Sequence, residues 1–223
     1  MNYSNYTNKR TSSSEDESND SKNTLGFFLN TIQVTHVQVP IDEPVQEPKY
    51  YRDVVNMLQK ASEHDTIEFI INTPGGDVMG FNSLAFGLEA TQATTLATLV
   101  GACHSAGSLL ALSCDIVQVA DNATMLCHAA SWGSYGKSSD VTSHVLHIQK
   151  HTEAIMRKCY HNFLTTEEQD ALLAGKDFWF DATEIRARLQ RRDELNQAEE
   201  SEEPTEEVQI VETKPSKVKS KKE

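Results

Sequence analysis

A serine and a histidine stand where two short apolar stretches of this sequence end. Ser105 follows TLATLVGA (95–102) and opens the apolar segment SAGSLLALSC, while His128 closes the stretch TMLCH. In open α/β sheets, reactive groups gather at the C-terminal ends of strands. A serine at a helix start suits nucleophilic attack, because the free N–H groups and the positive end of the helix dipole stabilise charge developing on a bound carbonyl oxygen. Gly76, in the turn Pro74-Gly75-Gly76, can offer a second backbone N–H, since a glycine turn lets the chain approach a substrate closely. His128 can take the serine proton, and a carboxylate can hold the histidine's tautomer. Such a set performs acyl transfer. The same residues also fit plainer roles: a serine N-cap, a histidine satisfied by a carbonyl, a simple turn. No strict G-x-S-x-G surrounds Ser105, whose neighbours are Cys103-His104 and Ala106-Gly107.

These residues need a scaffold, and hydropathy periodicity supplies one. GFFLNTIQVTHVQVP (26–40) reads as a strand, followed by a proline-punctuated loop through Pro40, Pro44 and Pro48. Tyr51, Val54, Val55 and Leu58 fall at helical spacing. TIEFII is a short apolar run of the kind found in buried parallel strands, ending at Asn72. Val78, Phe81, Ala85 and Leu88 mark a second helix, 95–102 a strand, and 105–114 a short helix. IVQVA (116–120) and TMLCH (124–128) read as strands joined by Asp121 and Asn122, and a Gly/Ser-rich loop covers 131–139. The longest helix is expected from Asp140, as its cap, to about Phe163, with Val141, Val145, Ile148, Ile155 and Cys159 on its apolar face. Thr165 with Glu168, and Asp181 with Glu184, have capping-box spacing. Strands alternating with helices predict an α/β fold with parallel strands.

Charge and composition bound the function. The 223 residues carry a formal net charge of -13, which argues against a nucleic-acid binder, since phosphate contacts need a basic surface. No run approaches the ~18 apolar residues of a membrane helix, and no secretory signal is evident, so a cytoplasmic location is expected. Residues 1–24 and 193–223 are nearly devoid of large apolar side chains and are expected to be flexible, leaving a single domain over 25–192. The 193–223 segment passes from acidic to basic. Cys103, Cys114, Cys127 and Cys159 form no CxxC pair and read as buried, reduced thiols. A metal site from Cys103, His104, Cys127 and His128 is conceivable, but its spacing matches no zinc pattern.

Four segments in order sharpen the reading: FIINTPGGDV (69–78), VGACHSAGSLLALS (100–113), ATMLCHAASWGSYG (123–136) and KDFWFDATE (176–184). Together they resemble the proteolytic subunit of the Clp protease, in a divergent form of the kind that phages also encode. The resemblance implies a crotonase-like α/β fold with a protruding handle helix, here the segment from Asp140. It implies Ser105 as nucleophile, His128 as base and Asp177 as the acid that orients the histidine. The backbone N–H groups of Gly76 and Ala106 take the places of the oxyanion hole. It further implies an endopeptidase without metal or organic cofactor, acting on unfolded polypeptides. The enzyme would be a homo-oligomer of two stacked heptameric rings fed by a ring ATPase of the Clp family. The chain departs from the family pattern at Ala129-Ala130 after the histidine, at His104 before the serine, and at IRARLQRRDEL after the last motif.

Rival readings on this fold are an acyl-CoA hydratase or isomerase, which needs no Ser/His/Asp set, and a signal-peptide-peptidase-like Ser/Lys dyad, for which only Lys137 is near. A catalytically silent ring or scaffold component, and a phage head maturation protease in a host cytoplasm, are the further alternatives. Asp170 and Asp181 are the alternative acids, and Asp181 is better explained as a helix cap.

Overall fold

The computed structural model describes residues 34–133 and 135–202. Six strands form one sheet. The chain lays down β1 (His36–Ile41), a 3-10 turn (Pro48–Tyr51), α1 (Arg52–Lys60) and β2 (Thr66–Thr73). It continues through α2 (Val78–Ala90), β3 (Thr94–His104), α3 (Ala106–Leu112), β4 (Ile116–Val119) and β5 (Thr124–Cys127). The last elements are α4 (Ser138–Cys159), α5 (Thr166–Leu173), β6 (Phe178–Asp181) and α6 (Ala182–Glu202).

The apolar run of β2 is buried because it pairs on both edges, parallel to β1 on one side and to β3 on the other. β3 is the longest strand and serves two partners in succession. Leu96–Leu99 pair with β4, and Ala102–His104 pair with β5, both in parallel. β6 closes the edge antiparallel to β5. Between Ile71 and Thr73 the β2–β3 register slips. The Asn72 side chain fills that gap by accepting from the Ala102 N–H at 3.0 Å, and Gly101 leaves it room.

One face of the sheet carries the core. Ile67, Phe69, Ile71, Leu99, Cys103, Met125 and Cys127 are buried against Leu58, Phe81, Leu84, all of α3, Tyr160 and Phe163. Each large side chain removed from water contributes roughly 1.5–3 kcal/mol. Along the strands the alternate residues stay open to solvent, among them His36, Gln38, Val100, Ile116, Gln118, Thr124 and Trp179. Parallel sheets are ordinarily covered on both faces; among the described residues one face is left largely open.

Most of the expected elements are present. The predicted 95–102 strand is longer, since backbone pairing carries it to His104, where β5 takes over from β4. The 26–40 strand is realised from His36 onward, and residues 26–33 lie outside the described residues. Asp140 does not cap the long helix. α4 begins at Ser138 after Lys137, which makes no side-chain cap bond, and Asp140 sits in the first turn, where its charge favours the dipole. α4 ends at Cys159 instead of near Phe163, because the chain turns through Asn162 at φ 58°. The strand β6 was not anticipated. The expected tail also starts later than 193: α6 runs on to Glu202, with Asn162 bonded to Asn196 at 2.9 Å and to Glu199 at 3.1 Å. The remainder of that segment, and the expected flexible residues 1–24, lie outside the described residues.

Candidate active site

Ser105 occupies the corner between β3 and α3 with φ 55° and ψ -122°. Non-glycine residues avoid this region, and holding one there costs on the order of 1–3 kcal/mol. The corner is pinned from every side. Its N–H donates to the Leu126 carbonyl at 2.9 Å, tying it to β5. Its carbonyl accepts from the Ser108 N–H at 2.9 Å, the Leu109 N–H at 3.2 Å and the Ser108 hydroxyl at 2.7 Å. Gly75 packs directly on the Ser105 Cβ, so any side chain at 75 would collide with it. The Ser105 hydroxyl makes no capping bond to α3. An ordinary N-cap serine would spend its oxygen on that helix, whereas here the oxygen is left for other work.

The glycine turn supplies a backbone donor. Val45 bridges to this segment, its N–H donating to the Gly75 carbonyl and its carbonyl accepting from the Asp77 N–H, both at 2.8 Å. Alternation along an extended chain turns the intervening Gly76 N–H away from Val45. Gly76, at φ 150°, has no space for a Cβ against the Val45 backbone. Ala106 opens α3, where the first N–H groups have no partner within the helix.

His128 directly follows β5 and is half-buried; Asp177 directly precedes β6 and is exposed. The antiparallel register sets Thr124 opposite Asp181 and Cys127 opposite Phe178. His128 follows the last paired residue of β5 and Asp177 precedes the first paired residue of β6, so the two flank the same end of the ladder. Among the described residues no side-chain hydrogen bond joins Ser105, His128 and Asp177. Catalytic hydrogen bonds commonly close only around bound substrate. The alternative acids have other employment. Asp170 pairs with Arg157 at 2.8 Å, and Asp181 accepts from the Thr183 and Glu184 N–H groups at 2.8 and 2.9 Å.

His104, one residue before the serine, shares the open sheet face with His128. Its Nε2 lies 3.0 Å from the Thr124 hydroxyl, and its ring meets Trp179 edge-on at 5.0 Å. Burial, and secondarily the neighbouring His128, lower its pKa from the usual imidazole value. The ring is thus engaged by Thr124 and Trp179. Strand alternation puts Cys103 and Cys127 in the core and His104 and His128 on the other face, so these four residues do not converge on a metal. Burial pushes the Cys114 and Cys127 thiols up to about 12, far from the range of a reactive thiolate.

A cavity of about 150 Å³ opens immediately beyond His128, lined by Ala129, Ala130, Trp132, Thr152, Glu153 and Met156, among others. A larger one, of about 460 Å³, lies among α2, α3 and α4 and holds none of the site residues. Neither lining includes Ser105, His128 or Asp177; the first is formed in part by Ala129 and Ala130, the residues that directly follow His128.

A model of the Clp protease family matches residues 28–187. The chain belongs to the Clp protease family. No curated protein matches it. Membership accords with the mixed α/β architecture and its mostly parallel sheet, and it makes this Clp-family chain a peptidase. Among its described residues no helix is long and apolar enough to cross a membrane. Sequence reasoning missed the partners of the Clp-family serine corner. Gly75 was read only as turn chemistry, and nothing in the sequence links Ser108 or Tyr160 to Ser105.

Proposed function

We propose that this Clp-family chain is a serine endopeptidase. Ser105 attacks the scissile carbonyl carbon as His128 takes the hydroxyl proton, and a covalent acyl-enzyme forms. The histidine then returns that proton to the leaving amine, and water, activated by the same histidine, releases the acyl product. Asp177 holds the histidine with the correct nitrogen facing the serine. The N–H groups of Gly76 and Ala106 stabilise the oxyanion, a role in which each donor is typically worth ~3 kcal/mol of transition-state energy. The observation that carries the reading is the strained, uncapped Ser105, pinned to β5 two residues before His128. The cavity formed in part by Ala129, Ala130 and Trp132 is the proposed place for one side chain of an extended substrate. The substrates are unfolded polypeptides admitted to a chamber of stacked rings and delivered by a ring ATPase. The uncovered sheet face and the projecting α4 support assembly.

A fluorophosphonate should label one serine, Ser105, and Ser105→Ala should abolish both labelling and casein hydrolysis while leaving the assembled mass unchanged. An adduct on Ser113, or full hydrolysis by Ser105→Ala, would refute the assignment. Absence of any adduct, with no hydrolysis by the wild type, would favour a silent ring component.

A further inference from the structure

We infer that Ser108 and Tyr160 are positioning residues that set the nucleophile corner through a buried relay of hydroxyls. The inference rests on the reading of Ser105 as the nucleophile. Ser108 lies one turn into α3 and is fully buried, and Tyr160, the residue that terminates α4, is 1% exposed. The Ser108 hydroxyl donates to the Ser105 carbonyl at 2.7 Å. A serine hydroxyl has a single proton, so at the 2.9 Å contact with the Tyr160 oxygen it must be the tyrosine that donates. The direction of the relay is thereby settled: Tyr160 to Ser108 to the Ser105 carbonyl. Burial raises the Tyr160 phenol well above its usual range, which keeps it a donor at any working pH.

The relay has a reason to exist. A residue held at φ 55° and ψ -122° stays there only while its surroundings over-determine it. Ordinary helix geometry supplies the two N–H bonds to the Ser105 carbonyl, but the third, from Ser108, is additional. Polarisation by Tyr160 strengthens that bond. The far end of the relay lies beside Cys127, the residue preceding His128. The buried pair of hydroxyls thus connects the serine corner to the end of α4, with Cys127 of β5 beside it. Neither residue touches substrate, so both act on rate through the placement of Ser105.

The test compares Tyr160→Phe, Ser108→Ala, the double variant and wild type. The readouts are the second-order rate of fluorophosphonate labelling, kcat and KM on labelled casein, and the thermal midpoint. Each single variant should lower the labelling rate and kcat about tenfold with KM little changed. The double variant should be no worse than either single, because both interrupt the same relay. Phe163→Leu, a buried change outside the relay, should lower the midpoint and leave the labelling rate unaltered. Wild-type labelling at Ser105 with unchanged rates in the variants would overturn the relay alone. So would multiplicative effects in the double variant, or an equal loss in Phe163→Leu. Failure of the wild type to label at Ser105 would overturn the nucleophile assignment and the relay with it.

Discussion

Ser105 illustrates how a common residue acquires an uncommon role. A serine between a strand and a helix would ordinarily bond its oxygen to the first turn. The positive φ forbids that arrangement and leaves the hydroxyl unspent. The strain is held in place by Gly75 against its Cβ and by the Leu126 carbonyl on its N–H. Asp177 is the acid proposed to orient His128, and it stands at the start of β6 beside the end of β5. Replacing it should be felt in chemistry and hardly in folding, because it is exposed and makes no side-chain hydrogen bond or ion pair among the described residues. Asp177→Asn should keep the thermal midpoint within a few degrees and cut kcat by up to ~10⁴-fold, the loss seen for the comparable change in another serine protease. Near-normal turnover by Asp177→Asn, beside a dead Asp170→Asn, would move the role to Asp170.

At the scale of elements, the strand that follows Asp177 is only four residues long and lies at the sheet edge. Its stability is borrowed. Arg188 of α6 lies over the Phe180 ring, 4.3 Å from its centre, and grips the Glu168 carboxylate through both Nη atoms at 2.8 and 2.7 Å. Glu168 simultaneously completes the capping box of α5 with Thr165. Arg188 foremost, helped by the Thr165 N–H, holds the Glu168 carboxyl down at about 2. A depressed carboxylate stabilises the fold fully above its unfolded value of 4.5 and loses that contribution as pH falls toward 2. The side chain is about one-quarter exposed, so the ceiling is on the order of 3 kcal/mol. Urea unfolding should find Glu168→Gln less stable than wild type at pH 7, with the gap shrinking between pH 4.5 and 2. A gap independent of pH would show that Glu168 acts by shape alone.

At the scale of the whole molecule, two surfaces ask for company. The open sheet face exposes Val100, Ile116 and Trp179. The first half of α4 contains no buried residue, and Val145 and Ile148 are only half-covered. At 22 residues the helix spans about 33 Å, enough to reach past a domain of this size. In the proposed assembly α4 forms the seam between two rings, while sheet faces are covered within each ring. Val145→Glu with Ile148→Glu would place unpaired charge at that seam. Light scattering should then report single rings of half the wild-type mass, together with lower casein hydrolysis. A monomer mass for active wild-type protein would refute the assembly, and double rings in the Glu variant would place the seam elsewhere.

What the sequence determined by itself was local. Capping boxes at Thr165 and Asp181, the apolar run of β2, the glycine turn and the order of serine, histidine and aspartate are written in neighbouring residues, and short-range sterics and hydrogen bonds read them without help. Tertiary structure decided the rest. β3 is long because two strands share it in succession, and β6 is a strand because β5 offers an unpaired edge; neither reason lies within the segment itself. Asp140 looked like a cap, but the end of α4 is set by where the loop joins it. The polar sequence after residue 192 looked like a tail, yet Asn162 and His161 hold it to the body as helix. The φ of Ser105 and its relay from Tyr160, 52 residues away from Ser108, exist only because packing brings distant segments together and forces one residue into a conformation it would not choose alone.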